Sequence, residues 1–252
     1  MHYHISDIRS NVPQTGKVII YWLGGSGFAF KFADGKVICI DPYLSDAVER
    51  LFNFKRLSLS PVSADELKFD TLLITHDHAD HLDMDSINAL ITGNRGCKII
   101  ASESSVKALD NIGIAAETTT PGAVFHCGNV DVEVVDADHG ELCADAVGFL
   151  IKFGGRSIYF TGDTGYNPEM MAKGIAASPE ILIPCINGAF GNLTEEEAAG
   201  LAAQCSAKVT IPSHFWLFAE HGGSPGAFKD AVSIKSPNTN VILLTPGQGI
   251  EV

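Results

Sequence analysis

From His76 to His81 the chain reads HDHADH, three histidines and two aspartates in six positions, directly after the apolar run TLLI and Thr75. Imidazole and carboxylate are ligand types that divalent metal ions take. His76 and His78 lie two positions apart just past a strand-like run. In extended backbone such side chains point to the same side, so both rings can reach one ion. Asp80 and His81 fall where the chain turns toward the next helix, and they can reach a second ion beside the first. One ion needs only three protein ligands and an open position, so four candidates in six residues point to two ions. Two ions roughly 3.5–4 Å apart can activate a bridging hydroxide and polarise an electrophilic oxygen. Asp77 and Asp83 read as solvated residues or as hydrogen-bond partners of ligands.

The remaining ligands of such a centre must come from other strand ends. His139 in VVDADHGE, Asp163 in SIYFTGDTGY and His214 in VTIPSHF each follow an apolar run and a short turn. Each alone reads equally as a turn residue or a cap; the recurrence of one plan at three strand ends favours ligands. Asp41 follows VICI and precedes Pro42, where it either caps the turn or supports the site. Asn187, Asn192 and Tyr166 stand in Gly-rich turns after strand ends, where they could line a pocket or serve only the backbone. Trp22 and Trp216 read as packing residues.

Positioning these residues requires alternating elements. KVIIYWL (17–23), FAFKF (28–32) and VICI (37–40) are short runs rich in β-branched and aromatic residues, separated by GGSG and ADG turns. Between 45 and 69 the pattern is irregular, with a short helix expected at SADEL, capped by Ser63 with Glu66 at the capping-box position. After Thr71 strands and helices alternate, and LTEEEAAGLAAQC is a strong helix with Thr194 as N-cap and acids in its first turn. KVTIPSHF and VILLTPG read as the last strands. GFAFKFADGKVICIDPYL (27–44) and GFLIKFGGRSIYFTGDTGY (148–166) share one plan: strand, tight turn, strand, then an acid. A duplicated α/β architecture over a single domain, 1–252, follows; two packed sheets with outer helices satisfy the pattern.

The 252 residues carry 30 Asp+Glu against 17 Lys+Arg, a formal charge of −13. No basic cluster stands out, which argues against nucleic acid or an anionic membrane surface as partner. A small-molecule substrate is expected, and an anionic one stays open because a metal ion supplies positive charge locally. No apolar stretch approaches the roughly 18 residues of a membrane span, and no secretory signal is visible at the N-terminus. The six cysteines are scattered without a Cys-x-x-Cys pair, which fits buried reduced thiols and a cytoplasmic protein.

Taken together, THDHADH with downstream His139, Asp163 and His214 resembles the metallo-β-lactamase superfamily, and the likeness spans essentially the whole chain. It implies a four-layer αββα sandwich. It also implies His76, His78 and His139 on one metal, Asp80, His81 and His214 on the other, Asp163 bridging, and Asp41 supporting the site. Asp80 would also receive a proton. The ions would be zinc or manganese, a choice the ligand types leave open. YWLGGSGFAF, SIYFTGDTGY, NGAFGNLTEEEAA and AKVTIPSHFWLF resemble the L-ascorbate-6-phosphate lactonase group most. YFTGDTGY and HFWLFAEHGGSP are also similar to the N-acyl-phosphatidylethanolamine phospholipase D type. The resemblance thus implies a hydrolase of a small ester, lactone or phosphoester, with a phosphodiesterase or a non-catalytic metal-bound sensor as alternatives. Iron-dependent redox members replace the second motif histidine by Glu, whereas His78 is present here. His221, in the Gly-rich AEHGGSPG, gains a site role mainly from the likeness; otherwise it reads as a surface histidine. Oligomers occur in the family, so a homo-oligomer is compatible with the resemblance.

Overall fold

The computed structural model describes the backbone of residues 2–252 and the side chains of residues 3–252, and Met1 lies outside the described residues. The chain divides into two compact units. One comprises residues up to 119 with 127–129 and 244–252, the other residues 120–126 and 130–243.

In the first unit β1 (His2–His4), β2 (Val18–Gly24), β3 (Gly27–Phe32) and β4 (Val37–Ile40) precede α1 (Ala47–Phe52). They are followed by β5 (Thr71–Ile74), α2 (Ile87–Gly93), β6 (Lys98–Ala101), α3 (Glu103–Asp110) and β7 (Glu117–Thr118). β2, β3 and β4 form an antiparallel meander; β5, β6 and β7 then add in parallel to β4. Strands β2 to β5 are buried at every position, so both faces are covered and the runs read as continuously apolar. One face of the sheet, carrying Ile19, Tyr21, Ala29, Cys39, Leu72 and Ile74, packs with Leu82, Ile87, Leu90 and Leu109 in a single core. Those last four residues lie on α2, α3 and the chain leading into α2.

The second unit holds β8 (Val124–Cys127), β9 (Val130–Asp136), β10 (Val147–Phe153), β11 (Arg156–Phe160) and α4 (Pro168–Ala176). After them come β12 (Ile181–Ile183), α5 (Glu195–Cys205), β13 (Val209–Thr210), α6 (Pro225–Lys235) and β14 (Asn240–Val241). β9, β10 and β11 are antiparallel, and β12, β13 and β14 follow in parallel. This sequence of pairings matches β2 to β7. The duplicated hairpin of the sequence is therefore part of a longer repeat, with corresponding pairs Phe28–Ile40 and Phe149–Phe160. A last strand, β15 (Gln248–Glu251), returns to the first sheet between β1 and β2.

Several local expectations need correction. The segment at Ser63 is a turn: Ser63 Oγ donates to Glu66 Oε2 at 2.6 Å, but no helix follows, and the helix of this region is α1 instead. The strand expected over EILIPCI ends at Ile183, since Pro184 has no N–H for the ladder. KVTIPSHF shrinks to Val209–Thr210 and VILLTPG to Asn240–Val241. β1, β7 and β15 had no readable pattern, because they are short and polar and gain their identity only from neighbours. The N-terminus of α5 is as expected. Thr194 Oγ1 accepts from Glu197 N at 3.2 Å, and Glu197 Oε2 accepts from Thr194 N at 2.9 Å.

Candidate metal centre

Within the first unit, β4 and β5 run parallel and deliver their C-terminal ends side by side. Asp41, fully buried after β4, adopts φ 45°, a left-handed conformation that costs a non-glycine residue about 1–3 kcal/mol. Its partners show what that strain secures. Oδ1 accepts from Thr75 N at 2.9 Å, and Oδ2 accepts from Thr75 Oγ1 at 2.6 Å and from His81 Nδ1 at 2.7 Å. A carboxylate only accepts, so His81 carries its proton on Nδ1 and turns a lone pair outward on Nε2. That Nε2 lies 3.6 Å from Asp80 Oδ2.

Thr75 extends the same logic to its neighbour. Its single hydroxyl proton goes to Asp41, so at 3.0 Å from His76 Nδ1 the oxygen accepts, leaving the His76 Nε2 lone pair exposed to a ligand. His76 Nε2 stands 2.9 Å from His78 Nδ1, as the spacing predicts for two rings on one side of the chain. The His76 and His81 rings lie 4.0 Å apart. Asp77 is exposed and Asp83 is buried, accepting from Leu44 N and Ser45 N at 2.9 Å each and from Ser45 Oγ at 2.6 Å. Asp83 therefore pins the chain after Asp41 against the histidine loop. Thr75 is the residue the sequence reading missed, although it stands in the motif.

Within the second unit the other three ligand candidates gather around one oxygen. Asp163 follows β11 through Thr161 and Gly162, the latter at φ 63°. Its Oδ2 accepts from Asn192 Nδ2 at 2.7 Å and lies 3.1 Å from His214 Nε2 and 4.0 Å from His139 Nε2. His139 comes from the turn after β9, His214 from the chain after β13, and Asn192 from the loop between β12 and α5. All four are buried. His214 sits at φ 57°, with Trp216 at 52° and Phe190 at 53° close by in sequence or contact. Left-handed non-glycine residues gather at functional sites because their surroundings over-determine them.

His221 is buried rather than on the surface. Its ring stacks on His214 at 4.5 Å and meets Phe218 edge-on at 4.7 Å and Phe190 at 6.0 Å. Asn187 is also buried; its Nδ2 donates to Ala189 O at 3.2 Å, while its Oδ1 and that of Asn192 have no hydrogen-bond partner among the described residues. Tyr166 is exposed, and its hydroxyl accepts from Gln204 Nε2 at 2.5 Å. The Cys185 thiol is pushed up to about 12, first by burial and then by the Asp163 charge, so it stays protonated. None of the six cysteines is in a disulfide.

The donor sets fit divalent ions. In the first unit Thr75 and Asp41 hold His76 and His81 by hydrogen bonds from behind, as metal-ligating histidines usually are held; in the second unit the buried His139 and His214 turn Nε2 toward the Asp163 carboxylate, which Asn192 holds. His214 Nε2 and the carboxylate oxygen 3.1 Å away must have either the ring's own N–H or a cation between them.

Comparison with known proteins agrees. The family model described as a beta-lactamase superfamily domain matches residues 37–215. A UPF0173 metal-dependent hydrolase from Methanosarcina barkeri is 30% identical over 244 residues, covering 93% of this chain and 99% of its own. Among solved structures, the metallo hydrolase Igni18 from Ignicoccus hospitalis superposes with a TM-score of 0.76 at 22% identity, covering 94% of this chain and 98% of that one. The metallo-beta-lactamase fold protein YhfI from Bacillus subtilis does so with a TM-score of 0.71 at 16% identity, covering 94% and 99%. No helix among the described residues is long and apolar enough to cross a membrane.

Proposed function

The chain belongs to the β-lactamase superfamily, as a metal-dependent hydrolase with the metallo-β-lactamase fold, and we propose that its two half-sites together hold two divalent ions, zinc or manganese. The reading is carried by one observation: the Asp163 carboxylate, which has no proton to give, gathers the Nε2 atoms of His214 and His139. His76, His78 and His139 would hold one ion and Asp80, His81 and His214 the other, with Asp163 available to both. Residues 1–252 then act as one functional domain. None of its six cysteines is in a disulfide, which supports a reducing compartment, the cytoplasm.

Bound divalent ions supply Lewis acidity and bring the pKa of water toward neutrality. The chain's own residues do the rest. Asp41 and Thr75 keep His81 and His76 in the ligating tautomer. Asn192 orients Asp163 by donating to Oδ2, the oxygen that also faces His214 and His139. Asp80, partly buried beside His81, takes up the proton released at the reacting centre. The substrate is a small ester or lactone, as in the lactonase-like group, or a phosphoester.

Elemental analysis of the purified protein, then assays on lactones, acyl esters and phosphodiesters with and without chelator, test this reading. About two equivalents of zinc or manganese and chelator-sensitive turnover are expected. Full activity in metal-free protein overturns it. So does a metal-loaded protein that turns over no member of the panel, which would make it a binding or sensor protein.

A further inference from the structure

A cavity of ≈ 310 Å³ in the second unit is lined by Asp138, His139, Glu141, Leu142 and Tyr166, together with three glycines. Its walls have a consistent chemistry. The Asp138 carboxylate accepts from Asn167 Nδ2 at 2.7 Å and from Gly140 N at 3.3 Å, neutral donors that hold it in place without cancelling its charge. Glu141 is exposed in the turn that follows His139. No lysine or arginine lines the cavity. Opposite charge is therefore missing from its walls, and an anionic group entering it would meet two carboxylates.

The apolar part of the lining is equally specific. Tyr166 is 38% exposed and Leu142 53%. The Tyr166 hydroxyl is tied back to Gln204, so the ring is what it offers to the cavity. Gly140 and Gly191, at φ +58° and +79°, are lining residues at which a Cβ would meet nothing within 4 Å. Bare backbone there leaves room for a ligand beside the ring. An aromatic face with nearby carboxylates attracts a cation whose body is apolar.

We propose that this cavity is the subsite for a cationic group on an apolar carrier, a quaternary or protonated amine, and that phosphate- and carboxylate-bearing groups are turned away from it. The inference rests on the hydrolase reading, because His139 links the cavity to the reacting centre. It replaces the anionic substrate left open by the sequence with a cationic one, in keeping with the formal charge of −13.

Two measurements on the metal-loaded protein test it. Calorimetric binding of benzyltrimethylammonium is compared with that of benzyl alcohol, a neutral probe with the same ring. Turnover of acetylcholine is compared with that of 3,3-dimethylbutyl acetate, which has the same shape without the charge. The cationic probe should bind about tenfold more tightly, with the preference weakening as salt is raised. Glu141→Lys, at an exposed position, should abolish the preference, and Tyr166→Leu should reduce it severalfold. Equal binding of the two probes, or a preference intact in E141K, overturns the subsite. Cation-selective binding without turnover of any ester would sink the hydrolase reading and leave the cavity as a cation site. Turnover that favours the neutral ester would do the reverse.

Discussion

Asp41 works entirely through other residues. It touches Thr75 and His81, and through Thr75 it reaches His76. Replacing it by Asn puts an NH₂ where two donors now converge, which favours the wrong His81 tautomer. Asp41→Asn should therefore weaken metal affinity by about 10–100-fold, the usual effect of losing a hydrogen-bond partner behind a ligand. Chelator competition reads this directly, and unchanged affinity would remove Asp41 from the centre. Asn192→Leu, which takes away the amide held 2.7 Å from Asp163 Oδ2, should have an effect of the same order. The six residues HDHADH stood out as ligand candidates, because ligand types at such density have few other uses. Thr75 was hidden in plain view, since a threonine beside a strand end is ordinary until its hydroxyl is seen between a carboxylate and an imidazole.

At the scale of elements, the strong local signals survived. The capping box of α5 should give Thr194→Ala a cost of about 1 kcal/mol in denaturant unfolding, with metal content unchanged. β9 carries a second device. Glu133 accepts from Lys152 of β10 at 2.7 Å and pairs with Lys173 of α4, and the two hydrogen bonds lower its carboxyl pKa below the ordinary value. A lowered folded pKa means stability that is present above the unfolded glutamate pKa, near 4.3, and is lost as pH falls through the folded value. Glu133→Gln should thus lower the melting temperature at pH 7, and the gap to the parent protein should close as pH falls below the ordinary glutamate range. A gap that stays constant with pH would mean the loss is one of packing. What failed at this scale were the short strands. Pro184 ended one early, and β15 acquired its strand identity from β1 and β2 rather than from its own residues.

For the molecule as a whole, ion binding should act as a stability term. An ion at 100 times its dissociation constant adds about 2.7 kcal/mol, or roughly 5–10 °C in melting temperature for a chain of this size. Thermal unfolding with zinc or manganese against chelator measures it. Because the proposed centre draws ligands from both units, metal addition should raise hydrogen-exchange protection around β5 and around β11 alike. Protection confined to one unit would count against a shared centre.

The sequence by itself determined the family, the alternating elements, the repeated hairpin and the ligand candidates, since each is written in residue type and short-range spacing. Tertiary structure decided what depends on neighbours remote in the chain. It extended the hairpin repeat to a run of matched strand pairings, because ladder order is a property of partners. Between turn cap and site support it decided for Asp41 as the buried carboxylate that orders two histidines, and between surface and interior it put His221 against the ring of His214. It also set Asp138, Glu141 and Tyr166 around one cavity. Residues far apart in sequence share an environment only once strands are paired and loops are closed, and charge and hydrogen bonding act through that environment.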